Sequence, residues 1–188
     1  MKKILIVLFF IFYSSFSFAY DIKAYDLYFI KYSRLYFGDR INWKWFKAQG
    51  IAESALRAEA TSWVGASGIM QIMPRTWREI SEKTGIDIND IFAPEYNIMA
   101  GIFYDRHLWK QWTAERPDIE RLLFVFGSYN GGIGNILKAQ KECSKESDFN
   151  LNCNLWYNVT HYANQIETWK YEETLNYVER IKEIKDKL

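Results

Sequence analysis

Residues 52–74 read Ala52-Glu53-Ser54-Ala55-Leu56-Arg57-Ala58-Glu59-Ala60-Thr61-Ser62-Trp63-Val64-Gly65-Ala66-Ser67-Gly68-Ile69-Met70-Gln71-Ile72-Met73-Pro74. The change of pattern inside this stretch decides the fold. Its first part continues a helix. Asn42 can cap an N-terminus. From Trp43 to about Arg57 the small and apolar residues Ala48, Ile51, Ala52 and Ala55 form one face, which suits a close-packed interior position. From Ala60 to Met73 the helical period is lost and Gly65 and Gly68 enter, so this segment reads as loop and short extended structure. Pro74 restarts a helix, because the N–H that proline lacks has no intrahelical partner at the first position. That helix ends near Gly85, a residue suited to the left-handed position after a helix.

Outward from this stretch the chain is helical on both sides. Tyr20 to Phe37 is an aromatic-rich lead-in ended by Gly38. A helix from Pro94 to about Trp112 is apolar on most sides, through Ile98, Ile102, Phe103, Leu108 and Trp109, which implies burial. Pro117 opens another, with Ile119, Leu122, Leu123, Val125 and Phe126 as a core run, and Gly127 to Gly134 breaks it as a glycine-rich turn. The last helix spans about Glu172 to Lys187, with Leu175, Val178 and Ile181 on one side. Trp63, Trp77 and Trp109 read as packing residues. Strands and helices do not alternate, which excludes a parallel sheet. The expected architecture is all-α: one domain with an irregular, extended insertion at 60–73 and no internal repeat or linker.

The 188 residues amount to one domain, and 49% hydrophobic composition is enough for a core. The formal charge is +1, without the basic stripe that nucleic acid would require. Lys2 and Lys3, the apolar run Ile4 to Phe12, and Ser17-Phe18-Ala19 have the order of a secretory signal, with cleavage expected before Tyr20. The run is shorter than the roughly 20 residues of a spanning helix, and no Cys follows it for lipidation. The chain then divides into a signal at 1–19, a lead-in at 20–40 and a main domain at 41–188, exported to a periplasm or cell envelope. In that compartment Cys143 and Cys153, which flank the polar stretch Ser144 to Asn152, can pair; the alternative is two free thiols. The bridge would contribute about 2–3 kcal/mol. His107 and His161 lack ligand spacing to these cysteines, so no metal is expected, and no calcium loop or phosphate-binding glycine pattern implies a cofactor.

Glu53 is the residue with chemistry to offer. It sits near the end of an apolar helix, with Ala52 and Leu56 beside it. A carboxyl held against apolar surface keeps its proton to higher pH and can act as a general acid. The plainer reading is an exposed Glu53–Arg57 pair at i, i+4. Three later groups of residues weigh against it. Ser62 and the run Gly65 to Pro74 follow Glu53-Ser54; then come Ser128-Tyr129-Asn130-Gly131-Gly132 and Glu173-Thr174-Leu175-Asn176-Tyr177-Val178.

Taken in order, these blocks resemble the soluble lytic transglycosylase family, whose catalytic domain has a lysozyme-like fold. The resemblance covers about Ile41 to Ile181. Ile69 stands where the family usually has Leu, and Gly131 where it often has Ala. The stretch between Gly134 and Glu173 matches least. The resemblance implies Glu53 as general acid and then general base. It implies Ser62 and Gln71 as cleft residues bonded to the sugar, and Met70 against the sugar ring. Tyr129 and Asn130 would close the other side, with the Tyr129 hydroxyl within reach of the Glu53 carboxyl. Glu173 would contact substrate or steady the cleft from the last helix, with Tyr177 packed nearby.

These roles also make physical sense unaided, although Met70 could be core, Tyr129 a structural phenol and Asn130 a turn residue. Gly65 and Gly68 allow close backbone approach to a ligand, and Gln71 offers donors and an acceptor to an acetamido sugar. Only one acid stands in the catalytic block, with Glu59 near the loop and Asp87 and Asp90 in a later polar turn. A single carboxyl points to substrate assistance in place of a carboxylate pair. The expected activity is cleavage of the MurNAc–GlcNAc bond of peptidoglycan with a 1,6-anhydro product. The alternatives are a lysozyme-type muramidase on the same fold and a non-catalytic wall-binding assembly protein. The partner expected is the glycan strand. General wall turnover and service to a secretion or conjugation machine both suit such an enzyme, which is expected to be a monomer.

Overall fold

The computed structural model describes residues 23–146, 151–167 and 169–188. The signal-sequence expectation for 1–19 lies outside them. The helices are α1 (Asp26–Phe37), α2 (Lys44–Ser54), α3 (Pro74–Thr84), α4 (Pro94–Gln111), α5 (Asp118–Gly131), α6 (Ile133–Cys143), α7 (Trp156–Thr160) and α8 (Tyr171–Lys187), with 3-10 turns at Ile88–Phe92 and Ala163–Gln165. Among the described residues the only extended pairing is a pair of isolated antiparallel bridges, Thr61 with Ser67 and Ser67 with Ile72, inside the segment expected to be irregular. No helix of the described residues is long and apolar enough to cross a membrane.

Helix α2 is the centre. Trp45 through Ile51 are all buried. It packs against α8, and α5 lies against α4, α6 and α8. Helix α1 packs on α4 and delivers Phe29, Tyr32 and Phe37 to the common core. Even Lys47 of α2 is buried, paired with Asp26 of α1, as an interior charge must be.

Several boundaries differ from expectation. Helix α2 starts as read, with the Lys44 amide donating to Asn42 Oδ1 at 3.0 Å. It stops at Ser54, three residues early, because Ala55 and Leu56 both take left-handed φ, 54° and 59°. That conformation costs about 1–2 kcal/mol per residue, and neither residue is a glycine that would have announced it. Helix α5 runs on through Gly131, so Tyr129 and Asn130 sit on a helical last turn and not in a tight turn. The break falls at Gly132, with φ 79°. Gly127 lies inside the helix, and it is glycine because Trp156 packs where a side chain would be: a Cβ there would lie 2.2 Å from the indole. Helices α6 and α7 were missed in the sequence. Trp77 and Trp109 are core, but Trp63 is 96% exposed and Ile119 44% exposed, both contrary to expectation. Cys143 and Cys153 are bonded to each other, joining the end of α6 to the loop before α7.

Candidate active site

The loop 60–73 is held from beneath by polar side chains. Ser54, the residue after Glu53, donates its hydroxyl to the Ile69 carbonyl at 2.9 Å. Asn97 of α4 is fully buried. Its Oδ1 accepts from the Met70 amide at 2.7 Å, and its Nδ2 donates to the carbonyls of Ser67 (3.1 Å) and Ile91 (2.8 Å). Gly68, at φ 78°, lies on that amide so closely that a Cβ would come within 2.2 Å of Asn97 Nδ2. Ser62 Oγ accepts from the Ala66 amide at 3.0 Å. It serves the loop's own turn and is not part of the cleft lining described below, where it had been expected.

Met70 is a correction. Its side chain is wholly buried, wedged into the space left by Gly50 and Gly101, where a Cβ would meet it at 3.2 and 2.7 Å. A side chain sealed between two helices cannot lie against a sugar ring. What Met70 contributes is its carbonyl, which accepts the Tyr129 hydroxyl at 2.7 Å.

Two adjoining concavities share Asn130. One, of about 360 Å³, is bounded by Gln71, Thr76, Tyr104, Tyr129 and Gly131 among others. The other, of about 390 Å³, is bounded by Ala52, Glu53, Glu173, Asn176, Tyr177 and Arg180. Thus Glu53, Gln71, Tyr129, Asn130, Glu173 and Tyr177 come together in one groove, and Met70 and Ser62 support it. Gln71 takes a left-handed φ of 45°. Its Nε2 donates to the carbonyls of Gly68 (2.9 Å) and Ala60 (3.2 Å), so both expected donors are committed to the loop. Tyr104 stacks edge-on against Tyr129, ring centres 5.4 Å apart.

The carboxyl of Glu53 accepts the Tyr177 hydroxyl at 2.5 Å. The phenol expected within reach of Glu53 was Tyr129; the hydroxyl bonded to the carboxyl is that of Tyr177, 124 positions along the chain, while Tyr129 lies close enough to feel its charge. Arg57 is no partner of Glu53 here, since its Nε donates to the Ser54 carbonyl at 3.0 Å. Desolvation pushes the Glu53 carboxyl up to about 7, against the opposing pull of the Tyr177 hydrogen bond and the Arg180 charge. The acid therefore exchanges its proton near neutral pH. Burial also holds the hydroxyls of Tyr129 and Tyr177 well above the usual phenol range, with the nearby Glu53 carboxylate adding to it, so both remain donors. Arg180 and Asn176 escaped the sequence reading. Glu173, Asn176, Tyr177 and Arg180 are spaced i, i+3, i+4, i+7, one helical face, and that spacing was the available signal. Among the described residues no group of His, Cys, Asp and Glu side chains is arranged to hold a metal.

Gly131, where the family often carries Ala, is demanded by packing. A Cβ there would lie 2.5 Å from Thr174 Oγ1 and 2.7 Å from Trp169 Nε1, which are themselves hydrogen-bonded at 3.1 Å. This contact closes the end of α5 onto the start of α8.

Comparison with known proteins bears on this arrangement at three levels. Over 157 residues the chain is 27% identical to membrane-bound lytic murein transglycosylase F of Serratia proteamaculans, covering 78% of this chain and 30% of that protein. Over 153 residues it is 28% identical to the Yersinia pestis protein of the same name, covering 76% and 30%. The chain thus spans under a third of these relatives. In structure it is similar to the 70 kDa soluble lytic transglycosylase of Escherichia coli, with TM-score 0.66 and 24% identity over 87% of this chain and 24% of that one. It is similarly close to an inactive mutant of the Pseudomonas aeruginosa lytic transglycosylase Slt, at 0.65 and 24%, over 87% and 23%. The likeness shows a shared helical, lysozyme-like fold. Residues 38–152, from the end of α1 to the loop before α7, match the profile described as Transglycosylase SLT domain, and this segment holds Glu53, the loop 60–73 and Tyr129-Asn130. The chain belongs to the transglycosylase SLT domain family.

Proposed function

We propose that the protein is a peptidoglycan lytic transglycosylase in which Glu53 is first the general acid and then the general base. The observation that carries this reading is the Glu53 carboxyl, desolvated to a proton affinity near neutrality and set in a groove against the Tyr177 hydroxyl. A group poised there can give a proton and take one back at the same pH. The relatives named as lytic murein transglycosylases support the choice of substrate.

The steps balance without water. Glu53 donates its proton to the oxygen bridging MurNAc and GlcNAc, and the bond from that oxygen to the MurNAc anomeric carbon breaks. The acetamido oxygen of the same MurNAc closes on the anomeric carbon, since no second carboxyl is needed in a substrate-assisted site. Glu53, now a carboxylate, takes the proton of the C6 hydroxyl. The freed oxygen displaces the acetamido group and forms the 1,6-anhydro ring. Tyr177 steadies the carboxylate between the two transfers. Asn130, common to both concavities, lies where the strand would cross, and the Gln71 amide oxygen is left to accept from an acetamido N–H. A signal removed on export would place the enzyme at the wall.

The test is the mass of muropeptides released from sacculi by the purified protein. Products one water lighter than hydrolysis products are expected. Reducing MurNAc ends would replace this reading with a muramidase, and binding without release would replace it with a glycan clamp.

A further inference from the structure

One buried carboxyl lies outside the steps above. Asp105 of α4 is completely enclosed, as is Gln49 of α2. Gln49 Nε2 donates to Asp105 Oδ1 at 3.2 Å. The second oxygen of each group, Gln49 Oε1 and Asp105 Oδ2, is buried and meets no donor among the described residues. Unpaired buried acceptors are costly, at about 1–3 kcal/mol each, and an unpaired buried charge costs more. One proton resolves the deficit. On Asp105 it makes the carboxyl a donor to the Gln49 oxygen, and the two planar groups then exchange two hydrogen bonds edge to edge. Interchanging the amide oxygen and nitrogen only moves the deficit from one oxygen to another.

The position gives this pair a function. Gln49 precedes Glu53 by one helical turn, on the same side of α2. The titratable groups within electrostatic reach of Asp105 are Glu53 on α2, Tyr129 on α5, Tyr177 on α8 and its neighbour Tyr104 on α4. None of them is a cation, so nothing in this set repays an ionised Asp105.

Resting on the reading of Glu53 as the acid, we propose that Asp105 is a positioning residue: a neutral carboxylic acid locked to the Gln49 amide, fixing the turn of α2 that carries Glu53 and keeping a second negative charge from beneath it. Burial pushes the Asp105 carboxyl well above the usual range, in the same direction. An ionised Asp105 would raise the proton affinity of Glu53 further, and the acid would then return its proton too reluctantly to serve as base.

The test uses the whole protein with Glu53→Gln, which removes the only other carboxyl of this buried cluster. At about pH 8, where exposed carboxyls are ionised, the infrared carbonyl band of a protonated carboxyl is expected to persist, and adding Asp105→Asn is expected to abolish it. With Glu53 intact, Asp105→Asn keeps both hydrogen bonds of the pair, so the rate is expected to stay within about threefold and the alkaline limb to stay in place. Gln49→Glu sets two acids around one shared proton, and the negative charge left there is expected to move the alkaline limb up by about one pH unit. The idea is overturned if the band is missing, or if Asp105→Asn moves the limb down, since that would reveal a negative charge in the parent protein. The band reports Asp105 whether or not glycan is cut, so a failure of the cleavage reading appears in the products and a failure of this one in the spectrum.

Discussion

The loop wall of the groove, residues 60–73, and the helix wall, α8, face each other across Asn130 but owe their shapes to different forces. The loop has almost no regular structure. It is held by Ser54 and Asn97 side chains bonded to its backbone, by Met70 driven between Gly50 and Gly101, and by Gly68 lying on the Asn97 amide. Each of these contacts demands one residue type at one place. Helix α8 is an ordinary amphipathic helix, with Thr174, Tyr177, Val178 and Ile181 inward and Glu173, Asn176 and Arg180 at the groove. Its backbone would accept many sequences, and what it brings to the groove is the side chains it projects there. A wall made from backbone constraint should fail by unfolding, and one made from projecting side chains should fail by retuning.

Substitutions can break or sharpen that contrast. The largest effect is expected where the walls meet. Glu53→Gln should lower glycan cleavage by about a hundred- to ten-thousandfold while circular dichroism stays native. The same substitution should raise the melting temperature, and more so at pH 8 than at pH 5. The folded carboxyl titrates near 7 against 4.5 for the free group; the native state therefore binds the extra proton between these values, and stability conferred by the acid declines as pH rises through them. An equal gain at both pH values would deny the desolvation.

On the loop wall, Gly68→Ala should cost about 2–4 kcal/mol, from the left-handed φ and the collision with Asn97, read as a lowered urea midpoint. A midpoint unchanged by this substitution would show that the loop is not pinned as described. On the helix wall, Tyr177→Phe should leave the midpoint nearly in place. It removes a hydrogen bond that favours the Glu53 carboxylate, so the alkaline limb of the pH–rate profile should move up by about one unit. A downward move would reverse the assigned role. Arg180→Gln should act in the same direction but less, because the arginine is exposed and solvent screens it; raised salt should shrink the difference between variant and parent.

This contrast also explains what could be read from the residues. Gly65, Gly68 and Pro74 were legible as a loop and a restarted helix because backbone constraint writes itself into residue type. Glu53 was legible as an acid in an apolar setting. The early end of α2 was not, because Ala55 and Leu56 adopt left-handed φ without a glycine to signal it. Met70 stayed open between core and sugar contact, since only the approach of Gly50 and Gly101 reveals where its side chain goes. Tyr177, expected only to pack nearby, is the phenol bonded to Glu53, because which hydroxyl meets the carboxyl depends on how α5 and α8 cross α2. Helices α6 and α7 were missed in the stretch that resembles the family least, although Ile133, Ile136 and Leu137 already carry a helical spacing in α6, and Trp63 was misread because its apolar character does not say which side of the loop it occupies.

By itself, the order of residues determined a helical domain, its irregular insertion and the acid at its centre, since periodicity, glycine and proline act over a few neighbouring positions. Tertiary structure alone decided the proton affinity of that acid, its phenol partner and the buried Gln49–Asp105 pair. Desolvation and hydrogen bonding depend on groups brought together from positions 49 to 180, and no local pattern records that meeting.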